Sequence, residues 1–329
     1  MRSTMNRRHL LATSVSLACA VLGQQALAQD SYPSEPVHIT VVWPAGGGHD
    51  LVGRLLGHEL STEMGTPVVI DNVTGAGGTT GMQHVADASP DGYTIGVMGL
   101  HAISQSYMND SAPKLDQFDP LLFISDEPAA LEISPDTGIT TLDEYVTAMH
   151  SDPMSLINGN DPQGGNSFVF ASVISNGLGV EPLKLPYAGH AATVTALLTG
   201  EVQTATLPLS PVMEQAKGGA LTILGVASEE RQPQLPDAPT FKEQGYDVVG
   251  GDFIMVVAPK GMDAAIRQKL SDALLTASQG EGFVTSATKN GLALRQGGPD
   301  MAAQELTAQE NVIYPVLLDA GLVTETNKR

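Results

Sequence analysis

Short β-branched apolar runs alternate along this chain with segments whose apolar residues recur every three or four positions. The runs at 37–42, 68–72, 94–98, 130–133, 156–158, 202–207, 221–227 and 253–258 predict strands. Between them the longer period predicts helices. Val52, Leu56, Leu60 and Met64 share one helical face, with Leu55 beside them. Thr141 and Glu144 have the spacing of a capping box, in which side chains satisfy the orphan N–H groups of a helix start. Ile266, Leu270 and Leu274 form a later stripe, and Asp300 reads as the N-cap of a long final helix. Such alternation predicts parallel or mixed sheets flanked by helices, an α/β fold. No internal repeat or low-complexity tract interrupts it.

The N-terminus departs from this pattern. Arg2, Arg7 and Arg8 precede an apolar stretch at 10–22, and Ala26-Leu27-Ala28 has the small-residue form of a cleavage site. A signal peptide over 1–28, cleaved after Ala28, is expected, and with it export. The Arg7-Arg8 pair also suits twin-arginine export. Lipidation of Cys19 is disfavoured, because Ser16 stands where such signals usually have Leu. Cleavage removes the only cysteine, so the mature chain is held by packing without disulfides.

At 329 residues and 42% apolar composition the chain has room for two domains with their own cores. Removing three arginines from its 16 basic residues leaves 13 against 36 acidic ones, a formal charge of −23. A field of that sign argues against nucleic-acid or anionic-membrane binding. It also repels an anionic solute at long range, so any such solute has to be held by local donors.

Four Gly-rich loops follow strands. They are Pro44-Ala45-Gly46-Gly47-Gly48-His49-Asp50, the run 72–81 around Gly75, Gly77 and Gly78, the run 158–167 around Gly164 and Gly165, and Pro186-Tyr187-Ala188-Gly189-His190-Ala191. One such loop is no more than a tight turn. Four at equivalent strand ends suggest helix N-termini pointing into a shared crevice, as ligands in open α/β sheets require.

Spacing excludes several chemistries. No glycine is followed by the Lys of a phosphate-binding P-loop, and Gly75 and Gly77 begin a dinucleotide fingerprint that Thr80 breaks. There is no G-x-S-x-G elbow, no H-E-x-x-H and no metal-ligand spacing among the histidines, so neither catalysis nor a cofactor is indicated. His101 near Ser104 is expected on a surface helix. His49 and His190 lie in Gly-rich loops, where an imidazole donates readily to a carboxylate. What remains is reversible binding of a small anion by backbone amides, for which carboxylates are well suited.

The segments "YPSEPVHITVVWPAGGGHDLVGRLL", "VVIDNVTGAGGTTGMQHVADASPDGYTIGVM", "PYAGHAATVTALLTGEV" and "LPDAPTFKEQGYDV" resemble the periplasmic solute receptors of tripartite tricarboxylate transporters, the Bug or TctC-like family. The resemblance spans nearly the whole mature chain. It implies a two-lobed type II periplasmic binding-protein fold with the ligand between the lobes. One lobe is expected at 29–129 plus 252–329 and the other at 130–251, with hinges near 130–134 and 249–253. It also implies a monomeric periplasmic receptor that delivers a mono-, di- or tricarboxylate, or an aromatic acid, to a small and a large membrane subunit.

Carried over residue by residue, the resemblance nominates Ala45, Gly46, Gly47, His49 and Asp50 of the first loop and Tyr187, Ala188, Gly189, His190 and Ala191 of the fourth. Secondary nominees are Gly77, Gly78, Thr79 and Thr80, and Gly164, Gly165, Asn166 and Ser167. Asp50 is read as an N-cap that holds the loop, since its charge repels an anion. Trp43, the only tryptophan, is placed either over the ligand or in the core at the strand end. The sequence departs from the family at Ala188, where Lys is frequent, at His49 and His190, where small residues are common, and at Phe253, where many relatives carry Trp. A periplasmic sensor for a signalling kinase would use the same site, and an exported enzyme would need an acid–base or nucleophile pair in the cleft.

Overall fold

The computed structural model describes residues 32–329, so the expected signal peptide and its cleavage site lie outside the described residues. Strand β1 (Val37–Val41) pairs in parallel with β2 (Val68–Asn72) on one side and β3 (Thr94–Met98) on the other. Antiparallel to β3 runs β9 (Gly251–Pro259), which in turn pairs with β4 (Phe118–Ile133). A second set of strands continues from the far end of β4. It comprises β7 (Thr204–Pro208) and β8 (Thr222–Val226), both antiparallel to β4, then β5 (Asn158–Asn160) and β6 (Lys184–Pro186) in parallel order beyond β7. The last strand, β10 (Ala293–Gly297), lies antiparallel on β4.

Strand β4 is what joins the two sets. The predicted strand at 130–133 is only its last quarter. The remainder escaped notice because Pro120, Asp126, Glu127 and Pro128 break the apolar alternation, and pairing with β9 keeps the segment extended despite them. At Ala129 its partner changes from β9 to β7 and β8. The crossing there is tight. A Cβ on Gly251 would lie 2.1 Å from Glu127 O, so only glycine lets the two connecting strands meet. Two further strands were not anticipated: β6 is a three-residue edge strand, and β10 is a polar one. The strand expected at 156–158 begins two residues later.

Helices pack on both sets. The longest near the N-terminus, α1 (Gly48–Met64), buries Val52, Leu56 and Leu60 against β1 and against Leu270 and Leu274 of α8 (Ala264–Gln279). Then come α2 (Thr79–Ala86), α3 (Leu100–Met108), α4 (Leu142–Ser151), α5 (Asn166–Leu178), α6 (His190–Leu198) and α7 (Met213–Lys217). The chain closes with α9 (Glu281–Lys289) and α10 (Pro299–Asp319). Thr141 and Glu144 form the expected capping box. Asp300 does not cap α10: Gly298 holds that position, Pro299 presets the first turn, and the Asp300 charge sits within that turn against the helix dipole. Phe253 is fully buried and stacks on Phe123 at 6.2 Å, a core contact under the junction of the two sets.

Candidate ligand-binding cleft

The chain leaves β1 through Trp43 and Pro44 and enters α1 at Gly48, with Gly47 as its N-cap. Asp50, expected at that cap, lies instead in the first turn. Its Oδ2 accepts from Gly46 N at 3.0 Å and Arg54 Nε at 3.0 Å, and its Oδ1 from Arg54 Nη2 at 2.8 Å and Asn72 Nδ2 at 2.9 Å. Burial works to raise Asp50, but Arg54, Asn72 and the Gly46 N–H together hold it below the usual carboxylate range. Its carboxylate thus fastens the first loop to helix and strand. Asn72 Nδ2 also donates to Trp43 O at 2.9 Å.

From the second strand set the fourth loop approaches this one. Tyr187 N donates to Asn160 O at 2.8 Å and Gly189 N to Tyr187 O at 2.9 Å, after which Gly189, at φ +104°, turns the chain into α6. A Cβ on Gly189 would lie 3.3 Å from Pro44 Cδ, and one on Gly46 3.5 Å from the Ala191 methyl. The two loops therefore close over a cavity of about 20 Å³, lined by Trp43, Pro44, Ala45, Gly47, Gly48, His49, Ala188, Gly189, His190 and Ala191. That is room for a single water. The N-termini of α1 and α6 both end there, and first-turn N–H groups have no intrahelical acceptor.

Eight nominated residues line the cavity: Trp43, Ala45, Gly47, His49, Ala188, Gly189, His190 and Ala191. Gly46 and Asp50 shape the loop behind it, and Tyr187 packs on the apolar core of the second strand set. The secondary nominees do not reach it. In the run Gly77, Gly78, Thr79 and Thr80, Thr79 Oγ1 donates to Gln105 Oε1 of α3 at 3.2 Å, while Thr80 is exposed. Gly164 and Asn166 buttress the same helix from the other strand set, while Gly165 and Ser167 turn back on Asp161. His101 N donates to Asn166 Oδ1 at 2.6 Å, and Asn166 Nδ2 donates to Asp252 Oδ2.

Behind the cavity lies a layer of buried titratable groups, of which the sequence singles out the histidines but not the carboxyl groups. His101 is not on a surface helix. It is fully buried, edge-on to Trp43 at 5.3 Å and to His49 at 5.7 Å. His49 Nε2 stands 3.7 Å from Asp252 Oδ2, and His190 Nε2 stands 3.6 Å from Asp161 Oδ2. Asp252 Oδ1 accepts from Leu100 N and Phe253 N, both at 2.8 Å, and Asp161 exchanges hydrogen bonds with Ser167. Burial drives His49 well below its ordinary range and His101 to about 3. His190 is also buried, yet Asp161, Asp252 and Glu127 raise it above its ordinary value. Burial pushes Asp252 up to about 7 and Glu127 up to about 8, whereas Asp161, despite burial, is held low by His190 and Ser167. Among the described residues, no group of three or more His, Cys, Asp or Glu is arranged to hold a metal ion.

One signal for His101 was present. It follows β3 through Gly99 into a helix, the same strand–glycine–helix step as the loops that were singled out. Asp252 and Glu127 had no such signal, because they reach the layer from β9 and β4, far apart in sequence.

Two helix N-termini from separate strand sets, meeting at one small cavity beneath the strands that join them, define a solute-binding protein. Solved structures place the fold. The periplasmic binding protein BugD is 27% identical, with a TM-score of 0.84 over 89% of this chain and 99% of that one. MatC from Rhodopseudomonas palustris with bound malate is 26% identical, with a TM-score of 0.81 over 87% and 100%. The fold is the α/β, two-lobed type II periplasmic binding-protein fold. In sequence, a UPF0065 protein of the TAR-I ttuE-ttuC' intergenic region of Agrobacterium vitis is 30% identical over 97% of this chain and 93% of its own length. The profile of the tripartite tricarboxylate transporter family receptors, TctC, matches residues 52–313, and the chain belongs to that family.

Proposed function

We propose that the protein is an exported, monomeric receptor that binds a small carboxylate between two lobes and delivers it to the small and large membrane subunits of a tripartite transporter. The carrying observation is the convergence of the α1 and α6 N-termini on one cavity with no Lys or Arg in its lining. Bare amides and helix dipoles at that point hold a carboxylate without a counter-charge from a side chain. The malate bound to MatC supports the same class of solute.

The lobes in this reading are 29–129 plus 252–329, and 130–251. Their hinge is the pair of strands at 130–134 and 249–253. Contacts such as that between Gly189 and Pro44 form only when the lobes are shut, so a solute that bridges both helix ends biases the equilibrium toward closure. The closed form then presents both lobes to the membrane subunits. No reaction is required of the site.

The test is calorimetry and thermal shift on mature protein, unfolded and refolded to strip carried-over solute, against mono-, di- and tricarboxylates and aromatic acids. Ligand at about 100 times Kd adds roughly 2.7 kcal/mol of stability. The His190→Ala variant locates the site, since undiminished binding of every acid would remove the α6 end from it. A panel in which no acid binds would end the carboxylate reading.

A further inference from the structure

Resting on that reading of the cleft, we propose that Ser104, Gln105 and Asn166 are positioning residues: they clasp the two lobes together and so set the affinity for solute without touching it. The second and third Gly-rich loops, which the cavity does not use, are the two halves of this clasp. None of the three residues lines the cavity between the α1 and α6 ends.

The clasp joins α3 of the first lobe to the segment 163–166 of the second. Ser104 Oγ donates to Gly164 O at 2.5 Å, and Gln105 Nε2 donates to Gln163 O at 3.3 Å. His101 N donates to Asn166 Oδ1 at 2.6 Å, and the Asn166 amide also reaches Asp252 of the connecting strand. Ser104, Gln105 and Asn166 are all buried. The Gln105 amide has a defined sense: its Oε1 accepts from Thr79 of its own lobe at 3.2 Å, which leaves Nε2 for the other lobe.

Glycine makes the room. A Cβ on Gly77 of the second loop would lie 2.4 Å from Gln105 Nε2, and one on Gly164 of the third loop would lie 2.4 Å from the same atom. Their φ values, +63° and +83°, also favour glycine. Two loops with the look of ligand-binding turns are thus the walls of a slot for one side chain, one wall from each lobe.

These bonds bypass the cavity, so they form on closure with or without a solute bridging α1 and α6. Each exchanges water for a protein partner, an exchange that is modestly favourable. Opening returns Gln163 O and Gly164 O to water and leaves the bond between Thr79 and Gln105 in place. The clasp therefore biases the open–closed equilibrium, and apparent affinity scales with the fraction of protein that is closed. A residue that contacts solute alters one acid more than another. One that acts through closure changes every affinity by the same factor.

The experiment uses mature protein stripped of carried-over solute, with spin labels on Glu63→Cys of α1 and Asp143→Cys of α4, both exposed and one on each lobe. Gln105→Met keeps the side-chain size and loses the donor, and Ser104→Ala removes the hydroxyl. Without solute, pulsed dipolar spectroscopy should show both variants shifting away from the closed distance, and the double variant shifting furthest. In calorimetry with malate, succinate, citrate and benzoate, each acid that binds the parent should bind Gln105→Met about 10-fold more weakly, by one common factor. Saturating acid should restore the closed distance. Where Gln105→Met loses its cooperative melt, Ser104→Ala carries the comparison. Distances unchanged in the variants would overturn the proposal, and so would a loss confined to some of the acids. If the parent binds none of them, the carboxylate reading falls while the distances still decide the clasp.

Discussion

His190 Nε2 stands 3.6 Å from Asp161 Oδ2, with the two side chains only 9% and 1% exposed. A residue at the start of α6 is thereby paired with one in the loop that feeds α5, and Asp252 and Glu127 press on the same imidazole from β9 and β4. Several consequences are open to measurement.

The raised groups of the layer make stability fall as pH rises, and the two lowered histidines, His49 and His101, oppose them below about 6.5. His190 has a folded-state pKa above its unfolded value, so its contribution is complete below about 6.5 and disappears as pH climbs through the folded value. Asp252 and Glu127, raised to about 7 and about 8, hold protons in the folded state that the unfolded chain has already lost, and the sign is the same. Asp161 is lowered, so its contribution is lost only in strong acid. Below about pH 6.5 the unfolded chain protonates His49 and His101 while the folded protein does not, so these two offset Asp252 and Glu127 there. Thermal unfolding is expected to show little net slope from the layer between about pH 5 and 6.5 and declining stability from about 6.5 to about 8, at up to about 1.4 kcal/mol per pH unit for each titrating group. Asp252→Asn should turn the acid half into a rise. A profile that rises from about pH 6.5 to about pH 8 would contradict the protonation pattern.

Glycines at the two helix ends should respond differently to a methyl group. Gly189 has φ +104° and would place a Cβ 3.3 Å from Pro44, so Gly189→Ala should cost about 1–3 kcal/mol in backbone strain and hinder closure. Gly47 has φ −92° and open space around its Cβ, so Gly47→Ala should cost no more than about 1 kcal/mol, the loss of Gly at an N-cap, while weakening carboxylate binding. Chemical denaturation together with calorimetry separates the two effects. Equal loss of stability in both variants would refute the geometric distinction.

Glu132 offers a stabilising change away from the cleft. It is fully buried in β4, and burial pushes its carboxyl well above the usual range even though Oε2 accepts from Leu207 N at 3.1 Å. Glu132→Gln keeps that acceptor and removes the cost of ionising inside the protein. The variant should melt higher than the parent, with a margin that widens as pH rises from 5 to 8. A variant that melts lower at every pH would show that the carboxyl stabilises the fold.

Trp43 is the only tryptophan and part of the cavity wall, edge-on to a His101 held neutral by burial. Its emission should therefore change on carboxylate binding, and a change with pH between about 5 and 8 in the unliganded protein should report His190 of the same cavity wall rather than His101. Fluorescence titration beside calorimetry checks both. Binding with no change in emission would take Trp43 out of the ligand's surroundings.

Much of the α/β organisation was legible because it is written locally. The β-branched runs of β1, β2 and β3 and the stripe of α1 name their own elements, and the capping box at Thr141 and Glu144 needs only four residues. The loop glycines and the two imidazoles beside them could be singled out for the same reason. Strand β4 could not be read whole, because Pro120 and Pro128 contradict an extended central strand unless β9 lies beside it.

The sequence by itself therefore determined the alternation of strand and helix, the family, and the loops that close over the cavity, since each depends on neighbouring residues. Only the tertiary structure decided that Asp161, Asp252, Glu127, His49, His101 and His190 form one buried layer. Those side chains arrive from six different elements and loops, and what sets their charge is burial among one another. Burial is a property of the packed chain. The same histidine and carboxylate residues, read along the sequence, are ordinary polar residues in loops and strands, and only closure of two strand sets over them gives each a solvent-free neighbour.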